Sequence, residues 1–86
     1  MTEKDHERVT VDIYNRTYTI KGPESKQHVQ LVASLVDQKM RDIQQGNPGL
    51  DTTRLAVLTA VNAMNDYMKL KEEYATLMGK LRQKED

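Results

Sequence analysis

The first recognisable element of the chain is an alternation of apolar and polar positions. Over residues 9–13, β-branched apolar side chains occupy every second position, which is the period of a half-buried strand. The alternation stops at Asn15 and Arg16 and resumes over 17–21. A two-residue interruption between two strands predicts a β-hairpin over about 8–21. Arg16 would then lie in the turn, with its side chain projecting into solvent at the tip.

A helix is predicted after the hairpin, over about 24–45. Gly22 and Pro23 end the hairpin, and proline is common just before or within a first helical turn. Ser25 is an alternative N-cap if the helix begins later. Apolar positions recur mostly at spacings of three and four, so this helix is amphipathic and we expect its apolar face to pack on the hairpin. That face comprises Val29, Val32, Ala33, Val36, Met40 and Ile43, widened by Leu31 and Leu35.

A second and longer helix is predicted beyond a loop at 46–50. The loop holds the densest cluster of helix-breaking residues in the chain, and Asp51 directly after it is a good N-cap. No proline interrupts residues 51–86, so the helix would have about 30 residues and a length of roughly 45–50 Å. A small head can cover only the start of such a helix. The remainder, from about residue 60, must project as a stalk.

The projecting part carries a heptad pattern. Apolar residues alternate at steps of three and four for three heptads, which is typical of a coiled-coil seam. In this register Asp66 and Lys71 would face each other across a parallel helix pair, so a parallel dimer is favoured. The seam residues are Ala60, Ala63, Tyr67, Leu70, Tyr74, Leu77 and Leu81.

A second apolar row lies about 100° round the same helix. Nothing else in the chain can reach this row beyond Met68, so a dimer of dimers is the arrangement that would cover it. The fold class is therefore α+β, with a β-hairpin and helix forming a head (1–50) and the long C-terminal helix (51–86) forming an oligomeric coiled-coil stalk. The second row comprises Val57, Val61, Met64, Met68, Ala75 and Met78.

Composition narrows the class of protein. With 86 residues, 37% of them hydrophobic, the chain makes one small domain with a thin core, which self-association would supplement. Its 13 basic and 13 acidic residues are mixed along the chain, so no basic patch favours a nucleic acid as partner. Cysteine is absent, and no stretch approaches the roughly 20 apolar residues of a membrane span. We therefore expect a cytoplasmic protein without membrane insertion.

No group of residues has the spacing of a catalytic, cofactor or metal site. His6 and His28 lack a second nitrogen ligand nearby. The adjacent pair Glu72 and Glu73 points in directions about 100° apart and cannot converge on one substrate. The chain is therefore predicted to be neither an enzyme nor a binder of cofactors or metals.

Arg16 and Arg54 each have two competing interpretations. For Arg16 the residues alone favour a solvated turn residue over a contact for a partner. Arg54 lies in the first turn of the second helix, where a positive charge is opposed by the helix dipole. Such a residue needs either a carboxylate partner, for which Asp51 is available, or a role in binding outside the chain. Structural pairing is the favoured interpretation.

Three motifs follow one another along residues 8–82. They are Val9-x-Val11-x-Ile13-Tyr14-Asn15-Arg16-x-Tyr18-x-Ile20-Lys21-Gly22, Val32-Ala33-x-x-Val36-Asp37-x-Lys39-Met40 and Leu55-Ala56-Val57-Leu58-Thr59-Ala60-Val61-Asn62. Their ordered combination resembles ZapA, the family of cell-division proteins that associate with the tubulin-like FtsZ. The short stalk is similar to that of the Gram-positive members.

The resemblance implies a function and a site. Family members bind FtsZ polymers through charged residues of the head, among them the basic residue of the hairpin turn, which is Arg16 in this chain. They dimerise through the long helix and form tetramers when two dimers associate antiparallel through their stalks. The expectation is a non-enzymatic protein that bundles FtsZ protofilaments, stabilises the Z ring at mid-cell and lowers net GTP hydrolysis by FtsZ. Arg54 is a weaker candidate contact, because Thr53 and Arg54 depart from the pair that some relatives carry.

Two other functions remain open from the residues alone. The heptads also suit an oligomeric coiled-coil adaptor for another partner. A small DNA-associated dimeric regulator fits the size of the chain but not its mixed charge.

Overall fold

The hairpin turns one residue earlier than its sequence pattern predicts. In the computed structural model, which describes residues 7–85, strand β1 (Glu7–Ile13) pairs antiparallel with strand β2 (Arg16–Gly22). Tyr14 and Asn15 form the turn, with φ values of 50° and 67°. Two positive φ values define a type I′ turn, whose twist matches that of the flanking strands. The sequence pattern predicts Arg16 at the tip of the turn. In the structure Arg16 instead begins β2, opposite Ile13.

Helix α1 (Lys26–Gly46) begins later than residue 24. Ser25 has extended backbone, and its side-chain oxygen accepts the backbone N–H of His28 at 3.1 Å. Ser25 is therefore the N-cap, as the sequence predicts for a helix that begins later than residue 24. Its side chain satisfies one of the unpaired N–H groups of the first turn. At the other end Asn47 caps the helix through its own N–H to the Gln44 carbonyl. The loop accordingly occupies 47–51.

An ionic cluster ties the hairpin turn to α1. Asp37 accepts the Tyr14 N–H at 2.6 Å through Oδ1 and Nε of Arg41 at 2.9 Å through Oδ2. Arg41 also donates to Asn15 Oδ1 at 3.2 Å, and its guanidinium lies 5.4 Å from the centroid of the Tyr14 ring. Tyrosine with positive φ costs about 1–3 kcal/mol, so these contacts hold a backbone that Tyr14 would not adopt alone. We call Tyr14, Asn15, Asp37 and Arg41 the turn lock.

The core of the head lies between β1 and α1. Val9, Val11 and Ala33 are buried, with Ile13 and Val29 packed against them. The expected packing of the whole α1 stripe on the hairpin is only partly correct. A hairpin of two strands is narrower than the stripe, and so three of its members are exposed: Leu31, Val32 and Leu35.

Helix α2 (Thr52–Glu85) is anchored to the head only along its first part. Asp51 caps it by accepting the Arg54 N–H at 2.8 Å. Leu55 is fully buried, and the hydroxyl of the buried Thr59 donates to the Leu55 carbonyl. At 34 residues the helix is about 50 Å long, and the described part of the chain extends 53 × 45 × 15 Å. The predicted fold class, with its order of hairpin, helix and long helix, is confirmed. The outermost parts of the predicted 1–50 and 51–86 segments, including His6, lie outside the described residues.

The turn lock makes stability depend on pH in a definite direction. Hydrogen bonds from Arg41 and from the Tyr14 N–H hold the pKa of Asp37 below its usual value. Because the folded-state pKa is the lower one, the stabilisation is present above the unfolded value of about 3.9 and is lost as pH falls through the folded-state value. We expect Asp37→Asn, which keeps an acceptor for Tyr14 but loses the charge that binds Arg41, to lower the melting temperature at pH 7. The difference in melting temperature between Asp37→Asn and the unmodified chain should shrink below pH about 4.

Asp42→Asn is the matched control, since Asp42 is an exposed carboxylate one turn further along α1. It should leave the melting temperature nearly unchanged. Equal effects of the two substitutions would mean that net charge, and not the turn lock, sets the stability of the head.

Candidate functional site

A cleft opens beneath β2, because α1 packs directly against β1 and not against β2. In the cross-strand register Tyr18 is opposite Val11 and Ile20 is opposite Val9, so all four lie on one face of the sheet. The helix α1 packs under β1 and buries Val9 and Val11, whereas Tyr18 and Ile20 remain 46% and 38% exposed. Half of the apolar sheet face is therefore uncovered in the single chain.

The floor and far wall of this cleft come from the two helices. Met40 of α1 and Thr52 and Ala56 of α2 line it together with Tyr18 and Ile20, and its volume is about 400 Å³. Arg16 lies at its rim. We call this feature the β2 cleft.

Arg16 carries the charge of the β2 cleft. It is exposed, and within residues 8–83, the part of the chain with described side chains, no carboxylate lies within salt-bridge distance of it. A guanidinium held beside two half-exposed apolar side chains suits a partner that offers a carboxylate next to an apolar group. Arg16 has this position because it belongs to β2 and not to the turn, on the same face as Tyr18 and Ile20. A shift of the register by one residue would move it to the other face of the strand.

The structure does not bring Arg54 to Arg16. Arg54 is 79% exposed, and its Nε is 4.0 Å from Asp51 Oδ2, which is the structural pairing that the sequence favours. It lines a separate hollow of about 390 Å³ with Leu50 and Val57. The two arginines would meet different parts of any partner.

An apolar surface runs along α2, and all ten residues predicted to mediate self-association are exposed on it. The largest exposures are those of Leu70 and Tyr74, 64% each. A contiguous apolar surface of this extent marks an interaction site, because a single chain would leave it in water. We call it the α2 surface, and its members are Ala60, Ala63, Met64, Tyr67, Met68, Leu70, Tyr74, Leu77, Met78 and Leu81.

The N-terminal end of the α2 surface, nearest the head, adjoins a groove between α1 and α2. Val32 and Leu35 of α1 line this groove with Ala63 of α2, and its volume is about 480 Å³. The exposed residues of the α1 stripe therefore continue the α2 surface onto the head. A partner helix lying along α2 would meet both.

The ion pair expected between Asp66 and Lys71 of two parallel helices has a competitor within the chain. Asp66 accepts a hydrogen bond from Lys39 Nζ at 2.7 Å, and this contact holds the pKa of Asp66 below its usual value. Lys71 lies instead with its Nζ 5.7 Å from the centroid of the Tyr67 ring. Asp66 therefore joins α2 to α1 within the single chain, and its pairing with Lys71 of a parallel partner helix stays a prediction.

Sequence reasoning missed the turn lock and the part that Tyr18 plays in the β2 cleft. Asp37 and Arg41 are four residues apart on one helix, a spacing typical of ion pairs, and this signal was available. The contacts of Asp37 with Tyr14 and of Arg41 with Asn15 join residues 23 and 26 apart and have no local signal.

Residues 7–85 hold neither a cluster of metal-ligating side chains nor a helix suited to span a membrane. No group of three or more potential metal-ligating side chains occurs there. Neither helix in that range combines the length and apolar character that a bilayer-spanning segment requires.

Comparison with known proteins gives a consistent result. The family described as "Cell division protein ZapA" matches residues 9–85. A protein of that name from Oceanobacillus iheyensis is 63% identical over the full length of both chains. The solved structure titled "ZapA mutant dimer from Geobacillus stearothermophilus" is 50% identical with a TM-score of 0.73, covering 95% of each chain. A conserved bacterial protein of unknown function from Pseudomonas aeruginosa is 27% identical with a TM-score of 0.74, covering 90% of this chain and 86% of that one.

Proposed function

The chain belongs to the ZapA family of cell-division proteins, and from this premise we propose that it is a non-enzymatic cross-linker of FtsZ polymers. It binds protofilaments, bundles them and thereby stabilises the Z ring at the mid-cell division site in the cytoplasm. No cofactor, nucleic acid or membrane insertion takes part. The observation that carries this proposal is the exposed α2 surface on a helix far longer than its own head can cover.

Self-association follows from the physical chemistry of the α2 surface. Fully burying one leucine side chain contributes about 1.5–3 kcal/mol, and the surface carries three leucines, three methionines and two tyrosines. A homodimer would cover the heptad seam, and a second dimer would cover the neighbouring row. Antiparallel contact between two dimers places heads at both ends of the assembly.

Heads at both ends turn weak binding into cross-linking. Once one head is bound to a protofilament, the others search only the volume that the stalk allows, so their effective concentration is high. Because these heads bind the polymer in preference to free subunits, mass action favours the polymer. Fewer cycles of disassembly then lower net GTP hydrolysis by FtsZ without any chemistry in this chain.

Within the head, we place the principal FtsZ contact at Arg16. Its support is its exposed guanidinium, which pairs with no carboxylate among the described side chains and lies at the β2 cleft beside Tyr18 and Ile20. Arg54 is a second and weaker candidate, since Asp51 already faces its guanidinium.

Charge reversal at Arg16 tests the contact. Arg16→Glu should abolish co-sedimentation with FtsZ polymers formed in GTP, because a carboxylate would repel the acidic group that we expect opposite it. The control Lys26→Glu makes the same change of charge in the head at the exposed start of α1, and should pellet like the unmodified chain. Full retention of Arg16→Glu in the pellet would remove Arg16 from the site.

The proposed seam is tested at Leu77. Leu77→Glu should bury an unpaired carboxylate between helices and lower the assembly mass measured by light scattering. Thr76→Glu introduces the same residue next to it, outside both apolar rows, and should leave the mass unchanged. Bundling should fall further than the binding of single heads, because the variant loses valency and keeps its contacts. An unchanged mass for Leu77→Glu would refute this seam.

A further inference from the structure

The outer edge of β2 is a free strand edge. All residues of β2 except Gly22 are exposed, and β1 is its only strand partner among the described residues. Strand edges carry unpaired N–H and C=O groups that can pair with a further strand. Neither a proline nor a bulge interrupts this seven-residue edge, and its central segment, Thr17–Ile20, consists of residues that favour strands.

The turn type identifies the backbone groups that are free. In a two-residue turn the N–H of Arg16 donates to the Ile13 carbonyl, so the pair flanking the turn is hydrogen-bonded. Hydrogen-bonded and non-bonded pairs then alternate along an antiparallel ladder. Tyr18 and Ile20 therefore point their N–H groups at β1. The N–H groups of Thr17, Thr19 and Lys21 point outward at the free edge.

A third strand at this edge would lie over the β2 cleft. The cleft exists because α1 packs under β1 and the sheet stops at β2, which leaves Tyr18, Ile20 and Ala56 exposed beneath the missing strand position. Side chains of an added strand alternate between the two faces, so every second one would enter the cleft. Main-chain pairing with a pocket for alternate side chains is the arrangement that proteins use to bind extended peptides.

Charge indicates what kind of strand would bind. Arg16 begins β2, and Lys21 near its end lies directly opposite Arg8 on the outer face of the sheet. Like charges directly opposite each other are destabilising, and no carboxylate of residues 8–83, whose side chains the structure describes, pairs with any of these three cations. A strand with carboxylates near both ends would relieve this repulsion and pair with Arg16.

We propose that an extended segment of FtsZ, with apolar side chains between flanking acidic residues, binds by strand addition to the free edge of β2. This proposal rests on the proposed function and specifies how the Arg16 site engages its partner. The apolar side chains enter the β2 cleft, and the backbone pairs with Thr17, Thr19 and Lys21.

Thr19→Pro tests the pairing with a matched control. Proline removes the outward N–H while leaving the ladder to β1 intact, and proline is tolerated on edge strands whose N–H faces solvent. Thr19→Val removes the hydroxyl but keeps the N–H. With full-length protein and FtsZ polymers held in a slowly hydrolysed GTP analogue, Thr19→Pro should weaken co-sedimentation about tenfold, and Thr19→Val should bind within about twofold of the unmodified chain.

Amide hydrogen exchange tests the same backbone pairing in the unmodified chain. This test therefore remains valid if Thr19→Pro does not fold. Polymers should slow exchange at Thr17, Thr19 and Lys21, while Tyr18 and Ile20 are slow with or without FtsZ. If Thr19→Pro binds polymers as well as the unmodified chain does, and polymers do not slow exchange at the three outward amides, strand addition is overturned. The proposed function would still stand. Protection of the three outward amides before FtsZ is added would overturn it in favour of a second copy at this edge. An unmodified chain that stays in the supernatant would refute both.

Discussion

One carboxylate, that of Asp37, determines the geometry of the head. It joins the backbone of the hairpin turn to the side chain of Arg41 and thereby keeps Tyr14 in a left-handed conformation. With that turn in place, the register puts Val9 and Val11 over α1 and Tyr18 and Ile20 over the β2 cleft. If the turn moved by one residue, every side chain of one strand would change face. The apolar core and the position of Arg16 thus depend on the same ion pair.

The single chain buries few apolar side chains. Val9, Val11, Ala33, Met40 and Leu55 are its buried hydrophobic residues within the described part of the chain, whereas most of the large apolar side chains of α2 are exposed. A chain of this size is marginally stable when most of its apolar surface remains in water. In the proposed assembly, folding of the stalk is coupled to association, since burial of the same apolar residues stabilises both the fold and the oligomer. Measured stability should accordingly rise with protein concentration.

Periodicity in the sequence was enough to identify each element and its order, because alternation and three-to-four spacing are local properties. It could not place the turn at Tyr14, since that conformation depends on Asp37 and Arg41 more than 20 residues away. The same limit applies to Leu31, Val32 and Leu35. Their spacing assigns them to the apolar face of α1 but does not say which surface covers that face, and in the single chain they are exposed. Arg16 was recognised as a candidate through family resemblance, while its neighbours in the β2 cleft emerged only from the strand register. The contact of Asp66 with Lys39 of its own chain joins residues 27 apart and has no local signal either.

The joint between head and stalk contains a weak contact. Lys39 and Asp66 meet at 2.7 Å, but both side chains are substantially exposed, and such pairs contribute about 0–1 kcal/mol in salt. Breaking this ion pair therefore costs little, whereas Leu55, nearer the start of α2, is fully buried. In the proposed cross-linker, a joint of this kind makes the angle between head and stalk adjustable. An adjustable angle would let the proposed assembly connect protofilaments whose subunit repeats are out of phase.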